Sequence, residues 1–182
     1  TGAGKTFAFE MAPLIGLNIL FVVPTRRLAQ NLEAGVRETM GRNGWDDDKI
    51  ARRLAVWTSD ATAAKTADGM SPADIRKERV DQLRGNGDFA EEGTFIIATP
   101  ESVASLLLAP PKPGSGQSAM SLIDLASRDH IVFDEFHTIE AQGFGLAAAL
   151  CKLISGVCGE VAARRPRVTF LSATPIDILP AL

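Results

Sequence analysis

At 182 residues, 46% of them apolar and 23% charged, the chain is long enough to bury a full core, and its length favours one domain over two. The formal net charge of −3 excludes a protein held to nucleic acid by bulk positive charge, so any such contact must be local. No apolar run reaches the roughly 20 residues of a membrane-spanning helix, because Pro13, Pro24 or charged residues break the longest ones, and no membrane partner is expected.

In chain order, a Gly-rich start leads into a short helix from Phe7 to Met11, limited by Pro13. Ile19 to Val23 is apolar on both faces, as a strand buried in a parallel sheet is. Thr25 can cap a helix in which Leu28, Leu32, Val36 and Met40 form one apolar stripe, up to Gly41. Leu54 to Trp57 is a second strand. From Ser59 to Gly93 the composition turns polar, which predicts a surface excursion, an insertion around 59–93. Within it, Ser71-Pro72-Ala73-Asp74 combines a capping hydroxyl, Pro at the first helical position and an early acid, so a helix runs to Leu83 before Gly85-Asn86-Gly87.

Thr94 to Ala98 is the next strand and Glu101 to Leu108 a helix, and the Pro- and Gly-rich residues 110–116 read as a loop. Two further strands, Ile131 to Phe133 and Val168 to Leu171, flank a helical segment with an apolar face of Leu146, Leu150, Leu153, Ile154 and Val157. Cys151 and Cys158 share one side of that segment, too far apart along a helix axis for a relaxed disulfide. They read as core-filling thiols of a reducing, cytoplasmic compartment. Alternating helices and buried strands predict an α/β fold with a mainly parallel sheet and helices on both faces, its ligands bound at the carboxyl ends of the strands.

The strongest chemical signal is Thr1-Gly2-Ala3-Gly4-Lys5-Thr6. It matches the last six of the eight positions of the phosphate-binding loop G-x-x-x-x-G-K-[ST], so the chain reads as a fragment that begins inside that loop. The glycines let backbone N–H groups approach phosphate oxygens, Lys5 reaches the β and γ phosphates, and Thr6 gives its hydroxyl to Mg²⁺. A second signal is the apolar strand that ends in Asp134, Glu135 and, two residues on, His137. Adjacent carboxylates beside a sheet core are costly unless a cation holds them. Asp134 is the expected Mg²⁺ ligand and Glu135 the base that activates water; helix capping is the plainer alternative. His137 lies where it can sense Ser172 and Thr174 of Ser172-Ala173-Thr174-Pro175, a group that could also be a simple turn. Pro24-Thr25-Arg26-Arg27 and Thr99-Pro100-Glu101-Ser102 each follow a strand and open a helix, which suits phosphate as well as ordinary capping.

Taken in order, Thr1 to Thr6, Pro24 to Ala29, Ala98 to Ser102, Asp134 to His137 and Leu171 to Pro175 resemble motifs I, Ia, Ib, II and III of superfamily 2 helicases of the DExH type. The resemblance spans nearly the whole chain. It implies the first of two RecA-like domains, a P-loop NTPase three-layer sandwich, with the second RecA-like domain of the same parent chain as partner. It also implies ATP held by Thr1, Gly2, Ala3, Gly4, Lys5 and Thr6, Mg²⁺ held by Thr6 and Asp134, and catalysis by Glu135 and Lys5. A single nucleic-acid strand would be held by Thr25, Arg26, Thr99 and Pro100, while His137, Ser172 and Thr174 would couple nucleotide state to movement. Phe136 within Asp-Glu-Phe-His, followed by an Ala- and Leu-rich segment, is similar to the helicase of type I CRISPR systems, the I-D branch in particular. That favours DNA over RNA and a CRISPR effector complex as partner. A DExH RNA helicase and a nucleotide-gated clamp that does not unwind are the alternatives, and an intact Glu135 favours a motor.

Overall fold

The computed structural model describes residues 4, 6–84, 93–108, 125, 128–138, 144–145, 147–149, 152 and 166–172. Runs of β-branched and aromatic side chains make its strands, β1 (Ile19–Val22), β2 (Leu54–Trp57), β3 (Phe95–Ala98), β4 (His130–Phe133) and β5 (Arg167–Phe170). They form one sheet in the order β2-β3-β1-β4-β5, and every pairing is parallel. The register is flush: Ile19 lies opposite both Phe95 and His130, and Val22 opposite both Ala98 and Phe133. All the carboxyl ends therefore share one edge.

Because successive strand residues point to opposite faces, the core divides in two. Leu20, Val22, Ile96, Ala98, Ile131 and Phe133 pack on one face with Val80, Leu83, Val103 and Leu106. Ile19, Phe21, Phe95, Ile97 and Val132 pack on the other with Ala29, Leu32, Val36, Met40 and Ile50. The first face is covered by α5 (Pro72–Arg84) and α6 (Pro100–Leu108), the second by α2 (Arg26–Arg42) and α3 (Asp47–Arg53). Burying a side chain such as Phe21 completely stabilises the fold by roughly 1.5–3 kcal/mol. This is the expected layered α/β arrangement.

Several boundaries differ from those expected. The first helix, α1, is only Phe7–Glu10, because Pro13 is accommodated in a 3-10 turn over Ala12–Ile15. Gly41 does not stop α2; Asn43 N–H still donates to Thr39 O (3.2 Å), and Arg42 completes the last turn. Two helices were not legible. In α3, capped by Asp46, Ile50 alone is buried, and α4 (Ser59–Ala67), capped by Thr58, buries nothing, so neither carries an apolar stripe. The polar residues 59–84 are not a surface excursion throughout, because α5 sets Ile75, Val80 and Leu83 into the core.

At the amino ends of the strands, Asn18 clasps three of them. Its backbone N–H (2.8 Å) and Nδ2 (3.2 Å) donate to Asp129 Oδ2, and its Oδ1 accepts from Thr94 N–H (3.2 Å) and Thr94 Oγ1 (2.9 Å). Beside it Gly93 donates to Pro13 O (2.8 Å), so close to the chain that an added Cβ would lie 1.9 Å from Leu17 O. Residues 110–116, Gly85 to Gly87, Cys151, Cys158 and the predicted face positions Leu146, Leu150, Leu153, Ile154 and Val157 lie outside the described residues. Among those described, no helix is long and apolar enough to cross a membrane.

Candidate functional site

The sheet order puts β1 between β3 and β4, so the chain leaves β1 toward one side and returns to the other. Such a switch point is where open parallel sheets bind ligands. On the β4–β5 side, the backbone fixes the acidic pair. Asp134 N–H donates to Val22 O (2.9 Å), continuing the ladder with β1, and Phe136 N–H donates to Leu171 O (2.9 Å) across to the end of β5. Between them Glu135 takes a left-handed backbone with φ of 46°. For a residue with a Cβ this conformation costs of order 1–3 kcal/mol and tends to occur where a site demands it. Its carbonyl is held by the N–H and hydroxyl of Thr138, both at 2.8 Å.

Phe136 is buried against Phe133, Phe144 and Phe170, which locks the turn after the acids onto the core. Leu171 N–H donates to Phe133 O (2.8 Å), so Ser172 follows directly on the neighbouring strand end. The backbone of His137 belongs to a 3-10 turn over Phe136–Thr138. Thr174 lies outside the described residues, as do Thr1, Gly2, Ala3 and Lys5 of the loop.

Two loop positions are described. Gly4 has φ of 114°, a conformation that side chains with a Cβ rarely adopt. Thr6 precedes α1, its carbonyl accepting from Phe9 (2.9 Å) and Glu10 (3.1 Å), while its side chain makes no capping bond to the helix. The hydroxyl is thus not committed to the helix it precedes. Among the described residues there is no group of three or more His, Cys, Asp or Glu that could hold a metal. Mg²⁺ carried by a hydroxyl, one carboxylate and nucleotide phosphates does not require such a group, and the oxygen donors of Thr6 and Asp134 suit that hard cation.

On the β1–β3–β2 side, the two predicted strand-binding clusters line a single open groove of about 870 Å³, with Pro24, Thr25 and Arg26 from the β1 end and Thr99, Glu101 and Ser102 from the β3 end. Thr25 caps α2, its Oγ1 accepting from Leu28 N–H (3.3 Å). Thr99 N–H donates to Trp57 O (3.2 Å), and its hydroxyl lies 3.1 Å from Ser102 Oγ. Pro100 is buried at the first position of α6 and is not among the lining residues. Its fixed φ starts the helix that presents its neighbours. Arg26 is in the groove, but its Nη1 lies 2.5 Å from Asp60 Oδ1 on α4.

Ser59, Thr62, Ala63, Arg79 and Ser105 also line it. None of them was legible as a site residue. Ser59 and Thr62 sit on a helix without an apolar stripe, and Arg79 lies in a charged run that reads as solvated surface.

A family model described as DEAD/DEAH box helicase matches residues 1–180. No curated protein matches the chain. Among solved structures, the crystal structure of the yeast DEAD-box splicing factor Prp28 is similar, with a TM-score of 0.55 and 16% sequence identity over 100% of this chain and 36% of that one. The chain thus spans little more than a third of that protein, and the likeness shows a shared RecA-like α/β fold.

Proposed function

The chain belongs to the DEAD/DEAH box helicase family, and from that membership we propose that it is the ATP-binding motor lobe of a DExH-type enzyme that unwinds nucleic acid or moves along it. One observation carries the proposal: the flush parallel register sets the acidic pair at the β4 end and the hydroxyl-lined groove at the β1 and β3 ends along one sheet edge. The order Asp134-Glu135-Phe136-His137 supports the DExH assignment.

In this reading Gly2 to Thr6 wrap the phosphates of ATP, with Lys5 neutralising the β and γ oxygens. Thr6 and Asp134 hold Mg²⁺, which when bound supplies charge neutralisation at those oxygens. Glu135 orients and deprotonates the attacking water. His137, Ser172 and Thr174 relay the nucleotide state between strand ends, while Thr25, Arg26 and Thr99 grip the sugar-phosphate backbone, which leaves base sequence unread. A second RecA-like domain supplies the opposite wall of the ATP site.

The test is Glu135→Gln in the full-length protein, assayed with Mg·ATP and single strands. ATP binding should persist while hydrolysis falls by about 100-fold or more. Wild-type turnover would remove Glu135 from the mechanism, and retained strand-dependent function without hydrolysis would favour a nucleotide-gated clamp. We also propose single-stranded DNA as the track and a type I CRISPR effector complex as the partner, on the resemblance at Asp134 to His137. Oligo-dT should then stimulate hydrolysis more than oligo-U; the reverse order would favour an RNA helicase.

A further inference from the structure

Among the described residues of the groove, Arg79 is the one that is both charged and buried, at 8% exposure. One of the five N–H donors of a guanidinium goes to Thr62 Oγ1 (2.6 Å). The group also lies over the ring of Trp57, 5.9 Å from its centre. Thr62 is itself fixed, since its hydroxyl donates to Thr58 O (2.8 Å). No carboxylate among the described residues forms an ion pair with Arg79, and its neighbour Glu78 is taken by Lys65 (2.5 Å) and Gln82 (3.1 Å). Burial lowers its pKa, and Glu78 opposes that shift. A buried guanidinium without an acid partner is costly, and this one lines a groove whose other walls present Thr25, Thr99 and Ser102, with Glu101 the exposed acid beside them.

We propose that Arg79, held in place by Thr62 and Trp57, is a further phosphate contact in the groove, which makes the α4–α5 pair a third wall around the single strand. This rests on the groove being the nucleic-acid site. Arg26 is exposed and shared with Asp60, so Arg79 supplies the guanidinium that is already desolvated and positioned. A charge-assisted bond of this kind is among the stronger contacts available to a phosphate.

The experiment measures binding of fluorescein-labelled oligo-dT to the full-length protein by anisotropy over a range of KCl concentrations. Arg79→Gln should weaken binding about tenfold at low salt and reduce the slope of log K against log salt by about 0.7, the value for one single-strand phosphate contact. Arg79→Lys should keep the slope. If Arg79→Gln matches wild type while Arg26→Ala with Thr99→Ala weakens binding, Arg79 is structural and the proposal fails. If neither variant changes binding, the groove itself is not the nucleic-acid site. Should Arg79→Gln not fold, the guanidinium NMR signal of Arg79 in the wild-type protein decides: it shifts on adding oligo-dT, and a signal that stays put overturns the proposal.

Discussion

Arg26 opens α2 with its guanidinium already engaged by Asp60, 34 residues further along the chain. Both side chains are about half exposed, so the pair itself is worth little, but a phosphate in the groove must compete with it. Asp60→Asn should tighten single-strand binding about two- to fivefold, the range set by an exposed ion pair, as read by anisotropy at low salt. Unchanged or weaker binding would show that Arg26 reaches phosphate without leaving Asp60. Arg26 could be read from its place in Pro24-Thr25-Arg26, whereas its partner could not, because pairing across two helices depends on how they dock. The same holds for Arg79, whose charge is plain in the sequence and whose burial is not. Asp134 and Glu135 are the opposite case: two acids ending an apolar run declare themselves, though the left-handed turn at Glu135 does not.

At the scale of elements, the amino ends of the strands matter as much as the site. Gly93 passes so close to Leu17 that any side chain would strike backbone, and backbone cannot swing aside as a flexible side chain can. Gly93→Ala should destabilise the protein by at least about 1–3 kcal/mol, the usual cost of overpacking, seen as a lower urea midpoint with an unchanged slope. An unchanged midpoint would mean that the Leu17 segment yields freely. Strands β1 and β3 and helix α2 were legible because their burial is nearly complete or strictly periodic. Helices α3 and α4 were not, since their stability comes from the caps Asp46 and Thr58 and from position rather than from an apolar stripe. In α5 the buried Ile75, Val80 and Leu83 are diluted by charged neighbours, which hid the side that faces the sheet.

For the whole molecule, alternation of helix and strand foretold the layers, but the order β2-β3-β1-β4-β5 comes from which strands meet after long crossovers, and no local pattern encodes that. Global stability should also carry a histidine signature. His130 begins β4 with its Nε2 2.7 Å from Thr169 Oγ1 and its ring edge-on to Phe9, and its pKa is lowered from 6.5, first by burial and then by Arg167. Between the folded pKa and about 6.5 the unfolded chain binds a proton that the native one does not, so stability rises with pH there. Acidification from pH 7 should therefore lower Tm through this interval, and His130→Gln should flatten that part of the curve, shallowly because the ring is partly exposed. Parallel curves for the two proteins would exclude His130 as a source of the acid sensitivity.

The flush register also has an electrical side. Neighbouring strands lie about 4.8 Å apart, so the β1 end that leads into the groove and the β4 end that carries Asp134 are one strand spacing apart. Anions held at those two ends would feel each other within about one Debye length, roughly 8–10 Å at moderate salt. Seating one would raise the work of seating the other, and Mg²⁺ beside Asp134 would soften that repulsion. Nucleotide and strand would then sense each other through the field alone, before any part of the protein moved.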